Sequence, residues 1–267
     1  MLIDAIGTQH KVASENVRIV SLVPSLTELL FDLGLGPQVV GRTGFCIHPH
    51  AEIKSVESVG GTKKINFEKL QQLRPDYVLL NVDENPKEIA DELQRRQITC
   101  IVTHPLTVAD NPALYELLGD IFNRPNEALF LQKQFSAAFD RLEKSRALRP
   151  RRRVLYIIWR DPWMTISPAT YIADLLNRVN WQVAGPFGEA RYPVFQFADL
   201  DLDEIDLVLF SSEPYAFSKS HIAEFADRYP DHAKKACLID GELLSWYGSR
   251  AIRALPYLDH FSSAPCR

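Results

Sequence analysis

Short runs of β-branched and aliphatic residues alternate with helical patterns along the chain, the mark of a parallel α/β architecture. Strands are predicted at 18–22, 38–41, 77–81 and 99–103, and again at 153–158, 207–211 and 236–240. Helix starts are signalled between them. Ser25-Leu26-Thr27-Glu28 reads as a capping box before Leu29, Leu30 and Leu33, with a stop at Gly34. Asn85-Pro86-Lys87-Glu88 offers an N-cap, a first-turn proline and a glutamate that can reach back, and Asn111-Pro112 and Ser167-Pro168 are similar starts.

The stretch 125–148 differs from the rest. It has no internal Gly or Pro, and Ala128, Leu131, Phe135, Ala138 or Phe139, and Leu142 follow a period near 3.6. A helix of that length runs roughly 35 Å, enough to pass from one domain to another; an ordinary surface helix is the alternative. The division expected is an α/β lobe over 1–123, a backbone helix over 124–149 and a second α/β lobe over 150–267. A faint internal repeat supports two related lobes. Leu73-Arg-Pro-Asp-Tyr-Val-Leu-Leu-Asn-Val-Asp-Glu-Asn and Asp203-Glu-Ile-Asp-Leu-Val-Leu-Phe-Ser-Ser-Glu-Pro-Tyr each run from a strand into an acidic, polar turn. Open α/β sheets bind ligands at the C-terminal ends of their strands, so two such rims would make a cleft between domains.

The totals narrow the function. The 267 residues are 46% hydrophobic and 24% charged, with a formal net charge of −4, which argues against a nucleic-acid partner. No apolar run reaches the length of a membrane span. The basic run Arg149 to Arg153 reads as a solvated linker. No secretory signal is visible at the start, so a cytoplasmic address is expected if Met1 is the native start. Cysteines fall at 46, 100, 237 and 266 without CxxC spacing. Cys100 and Cys237 read as buried thiols, and no disulfide framework is suggested.

Several segments carry candidate chemistry. In Cys46-x-His48-x-His50 alternate residues of an extended segment share one side, and sulfur with imidazole suits zinc or another late transition metal. His104 follows a strand and would join Cys46 and His48, with Glu84 or Glu213 as a fourth ligand. The alternative is a loop of scattered polar residues around a partly buried cysteine. Gly60-Gly61-Thr62-Lys63-Lys64 could cradle anionic oxygens or be a plain tight turn. Glu84 and Glu213 sit in the paired turns, where they could hold a cation or, with His48, serve an enzyme or sensor; Asn85 there reads as a cap. Trp159-Arg160-Asp161-Pro162-Trp163 and the segment from Asp240 through Trp246, Tyr247 and Arg250 put aromatics and charges at strand ends, as pocket lining or as core and rim packing.

The run Arg18-Ile-Val-Ser-Leu-Val-Pro-Ser-Leu-Thr-Glu-Leu-Leu-Phe-Asp-Leu-Gly, then Val40-Gly41, Val59-Gly60-Gly61, Asn66-Phe67-Glu68-Lys69-Leu70 and Leu73-Arg-Pro-Asp-Tyr-Val resemble, in order, the cobalamin and iron-siderophore solute-binding proteins of ABC importers. The resemblance implies two Rossmann-like lobes with parallel sheets on one long backbone helix, and a periplasmic address. It implies a monomer with no covalent cofactor, holding a metal chelate or metal ion without chemistry and meeting an ABC permease. Phe45 takes the place of an aromatic lining the ligand in the cobalamin binders, whose other tryptophans fall on Thr62, Asn81 and Val194. Trp159, Trp163, Trp246 and Tyr247 would compensate, and Ser25, Lys63, Tyr192 and Tyr215 complete the expected ligand set with the two glutamates. For permease docking the resemblance points to Glu68, and to Asp199 or Asp201.

Overall fold

The computed structural model describes residues 2–266, which divide into two compact units. The first holds the residues through Pro105, together with Ala109–Phe135 and Tyr247–Arg250. Its strands and helices alternate: β1 (Ile19–Ser21), α1 (Pro24–Asp32), β2 (Val39–Arg42), β3 (Glu57–Ser58), α2 (Phe67–Gln72), β4 (Tyr77–Asn81), α3 (Lys87–Arg95), β5 (Thr99–Thr103) and α4 (Asn111–Ile121). The strands form one parallel sheet in the order β3-β2-β1-β4-β5. Helices on its faces explain why β1 and β4 read as continuous apolar runs. On one face Val20, Leu22, Val78, Leu80 and Val102 pack with Leu70 and with Ile89 and Leu93, four apart on α3.

The helix α5 (Pro125–Arg146) begins among the residues of the first unit and ends among those of the second. The second unit comprises Leu106–Val108, Ser136–Trp246 and the chain from Ala251 onward. It contains β6 (Arg152–Trp159), β7 (Met164–Thr165), α6 (Tyr171–Asn177), β8 (Trp181–Val183), β9 (Leu207–Ser211), α7 (Lys219–Arg228), β10 (Ala236–Ile239), α8 (Gly241–Ser245) and α9 (Ala251–Ser263). The order is β10-β9-β6-β7, with β8 also along β6; every pairing is parallel except the short β7. Two parallel-sheet lobes joined by one long helix are thus the architecture of this chain.

The internal repeat is structural. Each residue of β9 lies 130 positions after its counterpart in β4 (77 to 207, 81 to 211). Each sheet starts with the same clamp. Asp76 Oδ2 accepts the Arg18 N–H at 2.7 Å while the Asp76 N–H donates to Arg18 O at 2.8 Å; Asp206 and Arg153 repeat this at 2.6 and 2.8 Å. An aspartate before the second strand thereby fixes its register against the first in both lobes.

Several sequence signals resolve differently. Helix α1 has Val23 as its N-cap with no side-chain bond, and Ser25 and Glu28 are buried, so no capping box forms. Gly34 does end it, at φ +72°. Asn85 does not cap α3, whose N-cap is Pro86; its side chain ties three segments together, accepting the Asn81 N–H and donating to Leu22 O and Thr62 O. Thr170, not Ser167, caps α6. The basic run is anchored at one end, where Arg149 pairs with Asp259, while Arg151 and Arg153 are exposed, Arg153 in a surface pair with Glu204. Cys237 is not a free thiol, because it is disulfide-bonded to Cys266, which fastens the chain's end to β10. Their separation of 29 residues matches no motif, so only tertiary structure shows the pair.

Glu28 finds its partner in Arg250, whose Nε and Nη2 meet the two carboxylate oxygens at 2.7 and 3.0 Å with both side chains 6% exposed. The segment carrying Arg250 is held further by Gly248, whose N–H donates to Asn111 Oδ1 at 2.6 Å and whose carbonyl accepts from Tyr115 Oη at 2.8 Å. Gly248 has φ +79°, which favours glycine there. Removing one member of a buried forked pair strands the other charge. Glu28→Gln should therefore cost about 3–5 kcal/mol in urea unfolding, and the double replacement Glu28→Leu with Arg250→Met should cost less than that single change.

Candidate functional site

The loops that follow β1 to β5 form the C-terminal rim of the first sheet. After β4, Asn81 is buried, with its amide donating to Thr103 O at 3.0 Å and its Oδ1 accepting the Asp83 N–H at 2.8 Å. It shapes the turn and is not presented to a ligand. The turn holds Glu84 half-buried. Burial raises the Glu84 carboxyl above its ordinary range, Lys63 opposes this and Asp83 adds to it. No group among the described residues makes a hydrogen bond or ion pair with that carboxylate. Lys63 Nζ instead donates to Asp83 O at 2.8 Å, and Asp83 Oδ1 lies 3.5 Å from His104 Nε2.

The Gly60 to Lys64 segment is a tight turn. The Gly61 N–H is used by Lys64 O at 2.8 Å, Gly60 bridges Ile65, and Gly60 has φ +124°. The Gly61 amide is therefore used within the turn. Phe45 stands beside it, 61% exposed, with Cε2 at 3.3 Å from where a Cβ on Gly61 would fall. Tyr247 also belongs to this unit. It is buried, with Ser25, Thr103 and Glu84 around its phenol, and burial followed by the Glu84 charge pushes it well above a usual tyrosine. The structure thus gathers Ser25, Thr62, Lys63, Glu84, His104 and Tyr247 on one rim with Phe45.

The predicted metal set does not assemble. Cys46 is 1% exposed, its sulfur accepting from Thr27 Oγ1 at 3.1 Å and meeting Thr43 Oγ1 at 3.2 Å, and burial raises the thiol. The chain bends at Pro49 and turns at His50, so the segment is not extended throughout, and Cys46 is buried while His50 is exposed. The His48 and His50 rings lie 4.4 Å apart. Among the described residues no group of three or more His, Cys, Asp or Glu is placed to hold a metal ion.

The second sheet has its own rim. Trp159 is 40% exposed and meets Tyr215 edge-on, with centroids 5.6 Å apart. Glu213 Oε2 accepts the Trp246 indole N–H at 2.8 Å, which leaves Trp246 buried. Tyr192 and Val194 are exposed on a segment that pairs with β7 through Thr165 N–H to Pro193 O. Trp163 is half-buried and packs against the second core: it stacks on Phe217 and meets Phe197 and Phe210 edge-on. Arg160 is forked onto Glu224 at 2.8 Å through both terminal nitrogens, and Arg250 onto Glu28, so each guanidinium already has its carboxylate. Glu84 and Glu213 belong to different units.

Glu68 is exposed in the first turn of α2, and Asp199 and Asp201 are exposed before β9. The 130-residue offset puts Phe197 and Leu200 at the places of Phe67 and Leu70, so Ala198 stands where Glu68 does and Asp199 follows it. Sequence reasoning missed Asp83, Asn85 and Thr103 as organisers of the first rim. The usable signal was their position at the ends of β4 and β5.

A family model described as periplasmic binding protein matches residues 19–207. A vitamin B12-binding protein of Pectobacterium carotovorum subsp. carotovorum (strain PC1) is 28% identical over 125 residues, 47% of this chain and 45% of that protein. That of Pectobacterium atrosepticum is 27% identical over 165 residues, 60% of this chain and 59% of its own. The chain spans about half the length of these curated relatives. Among solved structures, the periplasmic vitamin B12 binding protein of Vibrio cholerae superposes with TM-score 0.79 at 19% identity, covering 93% of this chain and 97% of that one. A periplasmic heme-binding protein from Roseiflexus sp. RS-1 gives 0.77 at 18% identity, covering 94% and 100%. These two show a shared fold.

The Glu84 environment sets a pH dependence. A carboxyl whose folded pKa is raised binds its proton more tightly folded than unfolded. Its ionisation then penalises the folded state above the folded pKa, and the penalty vanishes below the unfolded value. Glu84→Gln should raise the melting temperature at pH 8, with the gain fading towards pH 4, as read by calorimetry at the two pH values.

Proposed function

Because this chain belongs to the periplasmic binding protein family, we propose that it is a solute-binding protein for a metal chelate of the corrinoid or haem kind, held without chemistry. The family is one of binding proteins, and the named relatives bind vitamin B12. The observation that carries the reading is the first rim, where a large exposed aromatic, Phe45, shares a surface with the unpaired carboxylate of Glu84. A flat, largely apolar ligand with polar substituents uses both: the ring gives contact area, and the carboxylate receives a donor. Trp159 offers a comparable face on the second rim.

The cargo metal arrives inside its chelate in this reading. The buried Cys46 thiol and the dispersed imidazoles do not form a primary coordination set, whereas a chelate brings most of its own. Glu68 and Asp199, exposed ahead of equivalent strands, are the carboxylates proposed to meet arginines of an ABC permease. The Cys237–Cys266 disulfide favours an oxidising compartment.

Titration with cyanocobalamin, hemin and a ferric siderophore, followed by tryptophan fluorescence, tests this. One of the three should saturate the protein. Phe45→Ala and Trp159→Ala should each weaken that ligand by about 5- to 30-fold, the loss of one aromatic contact worth roughly 1–2 kcal/mol. Saturation by none of the three would overturn the proposal.

A further inference from the structure

Residues 2–10 fold back on themselves along β5, the edge strand of the first sheet. Ile3 bridges Gln9, the His10 N–H donates to Leu2 O at 2.7 Å, and the Ala5 N–H donates to Val102 O at 2.9 Å. Burial in this segment is inverted. Its buried residues are Asp4 and His10, whereas Ile3 and Ile6 are 41% and 61% exposed. The apolar side chains therefore contribute little to holding it down.

Asp4 does the holding. Its Oδ1 accepts the N–H groups of Ile6 at 3.1 Å and Thr8 at 2.9 Å, which shapes the loop. Its Oδ2 accepts the Val102 N–H at 3.1 Å, which fastens the loop to β5, and lies 3.1 Å from His10 Nε2. Two cavities flank the segment. One, of about 420 Å³, lies between Leu2, Ile3 and Ala5 and the α4 residues Leu114 and Leu117. The other, of about 550 Å³, lies between Ile6 and Thr8 and the half-buried Cys100, Ile98 and Ala90, with the exposed Val82. Contact with the rest of the unit is thus loose except at the Asp4 carboxylate and the single backbone bond from Ala5 to Val102.

We propose that residues 2–10 are a strap latched by Asp4, which guards the β5 edge of the first sheet from pairing with a second copy of the chain. An uncovered edge strand presents unpaired backbone groups that template such pairing. The strap occupies the Val102 N–H with a side chain and the Val102 carbonyl with a backbone donor, so neither is left for another strand. A charge-assisted anchor is strong while intact and fails as a unit when one partner is removed.

The two free thiols supply the test. Cys100 lies beside the strap, and Cys46 is buried elsewhere in the same unit. In Asp4→Ala, labelling of Cys100 by a thiol reagent, located by peptide mass spectrometry, should accelerate at least about tenfold, the effect of losing one hydrogen bond to a charged group. Cys46 should stay as slow as in the wild type, and light scattering should show a concentration-dependent dimer. Equal acceleration of both thiols would mean that Asp4 holds the whole unit, and this overturns the latch. An unchanged Cys100 rate overturns it as well, and a variant with fast Cys100 that stays monomeric overturns the guarding role. In the unaltered protein, hydrogen exchange should release the Ile6, Thr8 and Val102 amides together and before those of β1 and β4. Protection of the strap amides equal to that of β1 would also sink the proposal.

Discussion

The first lobe depends on a carboxylate that its own stretch of chain cannot satisfy. Glu28 sits on the buried face of α1, and its partner Arg250 comes 222 residues later. Two charges that are 6% exposed carry a desolvation cost that only good geometry offsets. The fork supplies it, two nearly parallel N–H···O bonds onto one carboxylate. What the pair positions matters more than the energy it returns. With Arg250 seated, Gly248 reaches Asn111 and Tyr115, and Tyr247 is buried near Ser25, Thr103 and Glu84. The first rim is therefore completed only when the end of the chain arrives, so its last wall is a contact of very large sequence separation, the kind that forms late because loop closure precedes any gain.

Which parts of this were legible in the sequence follows from the range of the forces involved. Strands buried on both faces leave apolar runs, and those at 77–81, 99–103 and 207–211 are found where the runs lie. The long helix was legible for the same reason: no breaker interrupts its periodicity, and it ends two residues short of the expected 148. Helix starts were misread wherever a short polar side chain had a tertiary use. Ser25, Glu28 and Asn85 fit capping patterns, yet Glu28 serves Arg250, Ser25 is buried and caps nothing, and Asn85 ties three loops together. A pattern four residues long cannot distinguish a local acceptor from one needed elsewhere. Trp159 and Trp163 show the same limit for the site. Both follow β6 and look equivalent in sequence, but one is exposed and the other lies half-buried against an aromatic cluster.

The two sheets show where a repeated design was kept and where it diverged. At the start of each, an aspartate clamps the backbone of an arginine on the neighbouring strand, and the distances agree within about 0.1 Å. That end is structural, and its chemistry is the same in both lobes. At the opposite end the paired positions part company. Asn81 folds its turn through a side-chain amide, while Ser211 does so through a hydroxyl that donates to Glu213 O at 2.6 Å. The carboxylates that follow differ more. Glu213 is occupied by the Trp246 indole, whereas Glu84 is left with burial and no donor.

That asymmetry bears on what a ligand must bring. A half-buried carboxylate without a donor raises the free energy of the unliganded lobe, either by holding a proton or by remaining charged with incomplete solvation. Binding relieves that cost if the ligand presents a hydrogen-bond donor or positive charge, and adds to it if the ligand presents an anion. Phe45, exposed next to Gly61, would reward a flat apolar face. The two demands together favour a large ring system edged with amides, amines or metal-bound donors over a small polar anion. A ligand edged with carboxylates is admitted only when Glu84 keeps its proton, because the neutral carboxyl then donates rather than repels. In the proposed reading, the raised Glu84 carboxyl makes that second state accessible at milder acidity than an ordinary glutamate would allow.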